Sequence, residues 1–365
     1  MVWQWERQER RVRAEISMEA LHHNLGVLRE RAGESRLMAV LKANAYGHGM
    51  LALAEALVQA DSYGVARIEE GVALRAAGVT KPILILGGFQ GSEALATLAR
   101  LDLQTSLHCE EQLVALEQAS LARPVTVWLK LDTGMNRLGI GAAQLADVMA
   151  RLSRCPNVAQ PVHQMTHFGR ADELDCDTTA EQITRFYAMT RDLPGDKALA
   201  NSAGLLAWPD ACGDWVRPGL ALYGISPFAG ERGADRGLRP VMTLKSRLMA
   251  VRECPAGAPV GYGGRWIAPR ATRLGVVAAG YGDGYPRLAP EGTPLLLNGR
   301  EVPIVGRVSM DMLTVDLGPD ARDRVGDEVV LWVEGLPVER VAEFVGTIPY
   351  ELVTRLTGRV ALYPT

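Results

Sequence analysis

Residues 36–66 read RLMAVLKANAYGHGMLALAEALVQADSYGVA. An apolar run, Leu37 to Leu41, ends on Lys42. A helix-like stretch, LALAEALVQA at 51–60, comes next, and a second strand-like run, SYGVA at 62–66, closes the segment. Strand, helix and strand within one short segment form a βαβ unit, which joins two parallel strands through a crossover helix. The pattern repeats along the chain. Strand-like runs recur as PILILGG (82–88), LQTSLH (103–108), PVTVWLKLD (124–132), PVHQMTHF (161–168) and LALYGI (220–225). Between them lie the amphipathic stretches EEGVALRAAG (69–78), SEALATLARL (92–101), EEQLVALEQA (110–119) and QLADVMARLS (144–153). So many units over about residues 15 to 235 predict an α/β fold of the closed (β/α)8 TIM-type barrel kind, with its chemistry where the strands end.

After about residue 236 the texture changes. TLKSRLMAVREC (243–254), RLGVVAAGYGDGY (273–285), the long run 293–318 and DEVVLWVEG (327–335) read as strands separated by turns, and Asn298-Gly299 between apolar runs predicts a hairpin. The domains are therefore expected at 1–236, the barrel, and 237–365, a mainly β C-terminal domain, with the first dozen or so residues packing on the β domain.

Composition narrows the function. With 39 basic against 42 acidic residues the net charge is −3, which gives no electrostatic footprint for nucleic acid. Five scattered cysteines with no C-x-x-C form neither a disulfide framework nor a zinc site, which implies a reducing compartment and no metal. The charged stretch MVWQWERQERRVR lacks the apolar core of a signal peptide, and no uncharged run is long enough to span a membrane, so a cytoplasmic protein is expected. Small molecules and copies of the chain itself are the expected partners.

Lys42 sits where a barrel strand ends, followed by small residues, Tyr46 and two glycines. By itself it reads either as a lysine snorkelling from a strand end or as a partly desolvated amine able to form a Schiff base. Its company separates the two. AVLKANAYGHG (39–49) resembles the pyridoxal-phosphate attachment motif of bacterial alanine racemases. Further similar motifs follow in the family's order: LKLDTGMNRLG (129–139), THFGRAD (166–172), ANSAG (200–204), WVRPGLALYGISP (215–227), VGYGGRW (260–266), GYGDGYPR (280–287), GRVSMDM (306–312) and PYELVTRLTGRV (349–360).

The resemblance implies a barrel plus β domain, pyridoxal 5'-phosphate as cofactor, interconversion of L- and D-alanine, and a homodimer with shared active sites. D-alanine would supply peptidoglycan, or the enzyme would serve alanine catabolism. The resemblance makes Lys42 the Schiff-base lysine and one of two catalytic bases, with Tyr262 of the second subunit as the other. It places Tyr46, Ser202, the backbone of Gly219 and Leu220, and Tyr350 at the cofactor phosphate. Arg217 falls at the cofactor's ring nitrogen, and His167 lies in a network linking Tyr262 toward Arg217. Arg137 falls at the substrate carboxylate. Lys130 matches a lysine that is carbamylated in relatives and supports that arginine, while Met310, Asp311 and Tyr281 line the entrance and substrate pocket. A barrel-plus-β amino-acid decarboxylase and a single-barrel cofactor-binding protein are the alternatives. The first is expected to carry a cysteine late in its β domain, whereas the last cysteine here is Cys254; the second lacks a β domain.

Overall fold

The computed structural model describes residues 11–365, so the expected packing of the extreme N-terminus lies largely outside the described residues. The chain divides into two compact units. One is formed by His22–Leu222 with Pro227–Ala229; the other runs from the described start of the chain to Leu21 and adds Tyr223–Ser226 and Gly230–Thr365.

The first unit is a closed parallel barrel whose strands follow the chain in order. They are β2 (Arg36–Val40), β3 (Ser62–Val65), β4 (Ile83–Ile85), β5 (Leu103–Leu107), β6 (Val125–Lys130), β7 (Val158–Met165), β8 (Lys197–Ala198) and β9 (Trp215–Val216); the preceding strand, β1 (Arg13–Ile16), belongs to the other unit. Closure is made by β9 pairing with β2, with Arg36 opposite Trp215 and Leu37 opposite Val216. Helices lie between successive strands, as the sequence pattern predicts: Met50–Ala56, Ile68–Ala76, Gly91–Leu101, Glu110–Gln118, Ala142–Arg154 and Thr178–Thr190. The barrel interior is packed rather than open, with Met38, Leu84, Trp128, Met165, Ala198 and Trp215 in one buried cluster. Trp128 is fixed on several sides. Its indole N–H donates to Gln104 Oε1 at 2.8 Å, and its ring lies 4.7 Å from that of His163 and edge-on to Trp215 at 6.1 Å.

One strand expectation fails. The run 220–225 is not a strand: Leu220–Tyr223 forms a 3-10 turn, and the last two barrel strands are the short pairs at 197–198 and 215–216. The physical reason is local. The N–H groups of Gly219 and Ala221 turn to the Ser202 hydroxyl at 2.9 and 3.2 Å, and Leu222 N–H donates to Gly219 O at 3.0 Å, so no ladder can form. Residues 220–223 are fully buried, and a short apolar run of that kind has no periodicity to separate turn from strand.

The second unit is mainly β. Its eight-stranded sheet comprises β1 (Arg13–Ile16), β10 (Met242–Cys254), β13 (Thr272–Val277), β14 (Pro294–Leu297), β15 (Arg300–Pro303), β16 (Leu313–Gly318), β17 (Glu328–Trp332) and β18 (Ala361–Pro364). A small ribbon of β11 (Pro259–Val260) and β12 (Trp266–Ile267) stands apart from it. The Asn298-Gly299 hairpin forms with Leu297 opposite Arg300, both turn residues having positive φ. Within this unit β1 pairs with both β10 and β18, so the described N-terminal strand is built into the C-terminal sheet.

Replacing Trp128 with Ala empties the centre of the barrel and is expected to cost about 3–5 kcal/mol. Urea unfolding followed by circular dichroism measures it, and a loss under about 1 kcal/mol would mean that this cluster is not the packed interior described here.

Candidate active site

The mouth of the barrel starts from Lys42, two residues beyond β2. The four residues after it, Ala43 to Tyr46, all have positive φ, between 52° and 54°, and make one left-handed turn. For residues with a Cβ this conformation costs about 1–2 kcal/mol each. Hydrogen bonds hold the turn from several directions. Ala45 N–H donates to Leu41 O at 2.7 Å, Met50 N–H to the Asn44 side chain at 2.9 Å, and Ala43 N–H to Glu70 Oε1 at 2.6 Å. Gly47 and Gly49, with φ of 82° and 99°, lead the chain out into the next helix. The turn brings the Tyr46 ring back beneath the lysine, whose Nζ lies 5.8 Å from the ring centroid.

Tyr46 reaches toward Gly219, where a Cβ would overlap the phenol oxygen, so this approach requires glycine. Ser202 begins the short helix Ser202–Ala207, and its hydroxyl accepts from the Gly219 and Ala221 amides. Arg217, at the end of β9, is only 4% exposed. Its Nη2 donates to Thr166 O at 2.6 Å and Leu199 O at 3.3 Å, while its buried Nη1 has no partner among the described residues. Burial lowers the guanidinium's pKa, but an arginine remains charged at neutral pH.

Lys130 ends β6 and is 7% exposed. Burial first, then the charges of Arg217, Arg137 and Lys42, push its amine down to about 8. Lys42 is lowered too, by burial first and then by Arg137, with Glu70 acting in the opposite sense and Arg217 adding to the lowering. His167 is held well below its ordinary value by burial, then by Arg217 and the other cations, so the positive charge of that pair sits on Arg217. Arg137 is carried by a loop wound on Asp132, whose carboxylate accepts the Gly134 and Asn136 amides at 2.9 and 3.1 Å. The structure thus brings Lys42, Tyr46, Lys130, Arg137, His167, Ser202, Arg217, Gly219 and Leu220 into one unit.

Four supporting residues were not singled out in the sequence. Gln182 is fully buried and donates to Thr133 Oγ1 at 3.0 Å and His167 O at 3.2 Å, while its oxygen accepts from Gly169 N–H at 3.0 Å. Thr133 and Thr166 share a 2.8 Å hydroxyl bond that ties the ends of β6 and β7. A polar residue on the inner face of an amphipathic helix was the only sequence signal for Gln182. The fourth is Glu70, the third residue of the helix Ile68–Ala76 and so at a known capping place; its bond to Ala43 could not be read from spacing.

The remaining candidates belong to the β unit. Tyr262 opens the turn Tyr262–Gly264 and is 69% exposed, and Met310 is 52% exposed. Tyr281 and Gly282 donate to the carbonyls of Ser309 and Met310 at 3.1 and 2.8 Å, so the GYGDG and SMDM loops are bound edge to edge. Arg359 fastens the pair, with Nε 3.2 Å from the Asp283 carboxylate and Nη2 2.6 Å from that of Asp311. Tyr350 lies in the first turn of the helix Pro349–Thr354 of the same unit.

A closed barrel with a desolvated lysine on a strained turn at the strand ends, accompanied by a β unit, defines the class: a two-unit α/β-barrel protein built around amine chemistry. The comparisons with known proteins identify the family. Residues 16–227 match the model of the alanine racemase N-terminal domain, and residues 241–363 that of the C-terminal domain. The chain is 60% identical to the alanine racemase of Aeromonas hydrophila over 347 residues, covering 95% of this chain and 97% of that protein. It is 58% identical to that of Vibrio cholerae over 349 residues, covering 96% and 97%. The crystal structure of the biosynthetic alanine racemase from Pseudomonas aeruginosa superposes with a TM-score of 0.93 at 43% identity, covering 96% of this chain and 98% of that one. The chain belongs to the alanine racemase family.

The Lys130 amine yields a pH prediction. Its folded pKa of about 8 lies below the unfolded value near 10.4, so its burial penalty is full below pH 8 and disappears as pH rises toward 10.4. In that window the unfolded chain holds the proton that the native state has released, and this group makes stability rise with pH by about 2–3 kcal/mol. Lys130→Met is expected to lack that rise when urea midpoints are compared at pH 7.5 and 10; parallel pH dependence in the two proteins would rule the effect out.

Proposed function

We propose that this chain racemises alanine with pyridoxal 5'-phosphate as cofactor, as a cytoplasmic homodimer whose two barrel sites are each completed by the other subunit's β unit. The observation that carries the reading is the Lys42 amine, lowered by burial and by Arg137, beside a glycine that lets the Tyr46 hydroxyl approach the backbone. The residues fit the cofactor. A mouth with Lys42, Lys130, Arg137 and Arg217 against Asp132 and Glu70 is over-provided with positive charge, which suits an anionic group carrying a phosphate. The unpartnered Nη1 of Arg217 is a buried donor that needs an acceptor, and a ring nitrogen without a proton is one.

Lys42 would hold the cofactor, with Tyr46, Ser202, the backbone of Gly219 and Leu220, and Tyr350 around its phosphate. When bound, the cofactor supplies an electron-withdrawing ring that acidifies the Cα–H of the amino acid. The protein does the rest. Lys42 Nζ takes or returns a proton on one face of Cα, and the Tyr262 hydroxyl of the second subunit does so on the other, as inversion requires. With its pKa lowered by burial and by Arg137, the Lys42 amine gives up its proton more readily than an ordinary lysine and can serve as the base. Arg137 binds the substrate carboxylate, and Lys130, carbamylated, supports it. Tyr281, Met310 and Asp311 restrict the side chain to a methyl, at about 1–3 kcal/mol per added methylene. The product D-alanine would feed the cell wall, or the reaction would serve alanine breakdown.

Incubation of the purified protein with the cofactor and L-alanine, followed by chiral chromatography, is expected to approach an equal mixture of enantiomers. Lys42→Ala and Tyr262→Phe are each expected to lower the rate by about 10²–10⁴-fold. Alanine that stays wholly L with the wild-type protein would overturn the reading.

A further inference from the structure

The turn that presents Lys42 is strained along its whole length, and local propensity offers it little. Ala43, Asn44, Ala45 and Tyr46 hold left-handed φ, and none of them is glycine. Something outside the turn must over-determine it. The contact from another barrel element that meets its first peptide is the carboxylate of Glu70, carried by the helix Ile68–Ala76 after β3. Oε1 accepts the Ala43 N–H at 2.6 Å, and that N–H belongs to the peptide bond formed by the Lys42 carbonyl carbon. Oε2 accepts the N–H groups of Ala66 at 2.8 Å and Arg67 at 3.1 Å, at the exit of β3. One carboxylate therefore pins the peptide plane after Lys42 to the end of the neighbouring strand.

We propose that Glu70 is a positioning residue for Lys42: its carboxylate fixes the peptide on which the left-handed turn begins. The proposal rests on the reading of Lys42 as that amine. The charged groups acting on Lys42 are Arg137 and Arg217, which lower its pKa, and Glu70, which raises it, with Lys130 coupled to the same set. Among the described residues, Glu70 is the acidic group that acts on Lys42. Gln in its place keeps one acceptor oxygen and loses the charge; Ala loses both.

The test compares Glu70→Gln and Glu70→Ala with the exposed neighbour variant Glu69→Gln. Three readouts are taken on the full chain: hydrogen exchange of the segment 42–47, the pH midpoint for acetylation of Lys42 in protein freed of cofactor, and alanine racemisation. Glu70→Ala is expected to exchange at least about tenfold faster across the turn and to lose about ten- to a hundredfold in kcat, on the scale of a lost charge-assisted hydrogen bond to a buried site. The Lys42 midpoint is expected to move to lower pH in both Glu70 variants, and Glu69→Gln to behave as wild type. Unchanged exchange and an unchanged midpoint overturn the proposal, even if activity falls together with thermal stability. Failure of the wild-type protein to racemise alanine would instead overturn the function proposed above, while exchange and the amine midpoint would still decide the role of Glu70.

Discussion

The barrel mouth depends on one constraint: a lysine amine has to be presented at the end of the first barrel strand with much of its hydration removed. A chain leaving β2 as a right-handed helix would carry the following residues along a rising axis. The left-handed turn from Ala43 to Tyr46 instead folds them back, so that Tyr46 returns beneath Lys42 and reaches the backbone at Gly219. Four residues with positive φ are a local liability of about 1–2 kcal/mol each, offset by Glu70, by the Asn44 side chain bound to Met50 N–H and by the Leu41 carbonyl. Strain of this kind persists where the surrounding structure leaves the backbone no alternative.

Electrostatics follows from the same crowding. Lys42, Lys130 and Arg217 sit where burial already disfavours charge, and the exposed Arg137 adds its own charge to the two lysines. The lysines respond by giving up protons more readily; the arginine cannot, and satisfies part of its fork with the carbonyls of Thr166 and Leu199. Those carbonyls are themselves fixed, since Thr166 is bonded to Thr133 and to the Leu131 carbonyl, and Thr133 to buried Gln182. A chain of neutral hydrogen bonds thus holds the Arg217 guanidinium in register, with no carboxylate bonded to it among the described residues.

The β unit uses a different device. Its GYGDG and SMDM loops meet through glycines, because a Cβ at Gly280 or Gly282 would run into the Met310 carbonyl or the Arg359 side chain. Arg359 then bridges the carboxylates of Asp283 and Asp311 across the joint. Asp283 is buried, and burial raises its pKa against the opposing effects of the Gly280 amide and Arg359. Glycine spacing permits the approach and the arginine fork sets its geometry.

By itself the sequence determined the alternation of strand and helix, the parallel barrel, the β texture after residue 236, the Asn298-Gly299 hairpin and the family motifs, because each rests on periodicity or on residue types a few positions apart. The short strands at 197–198 and 215–216 escaped it, since two residues carry no period, and the buried run 220–223 was read as a strand for the same reason. Only the tertiary structure decided that Lys42 is followed by a left-handed turn, that Glu70 reaches Ala43 from the helix after β3, that Gln182 anchors Thr133, and that Arg217 keeps one buried donor without a partner among the described residues. These are contacts between residues far apart in the chain. Their strength depends on burial and on a few tenths of an ångström, which no local pattern of residue types encodes.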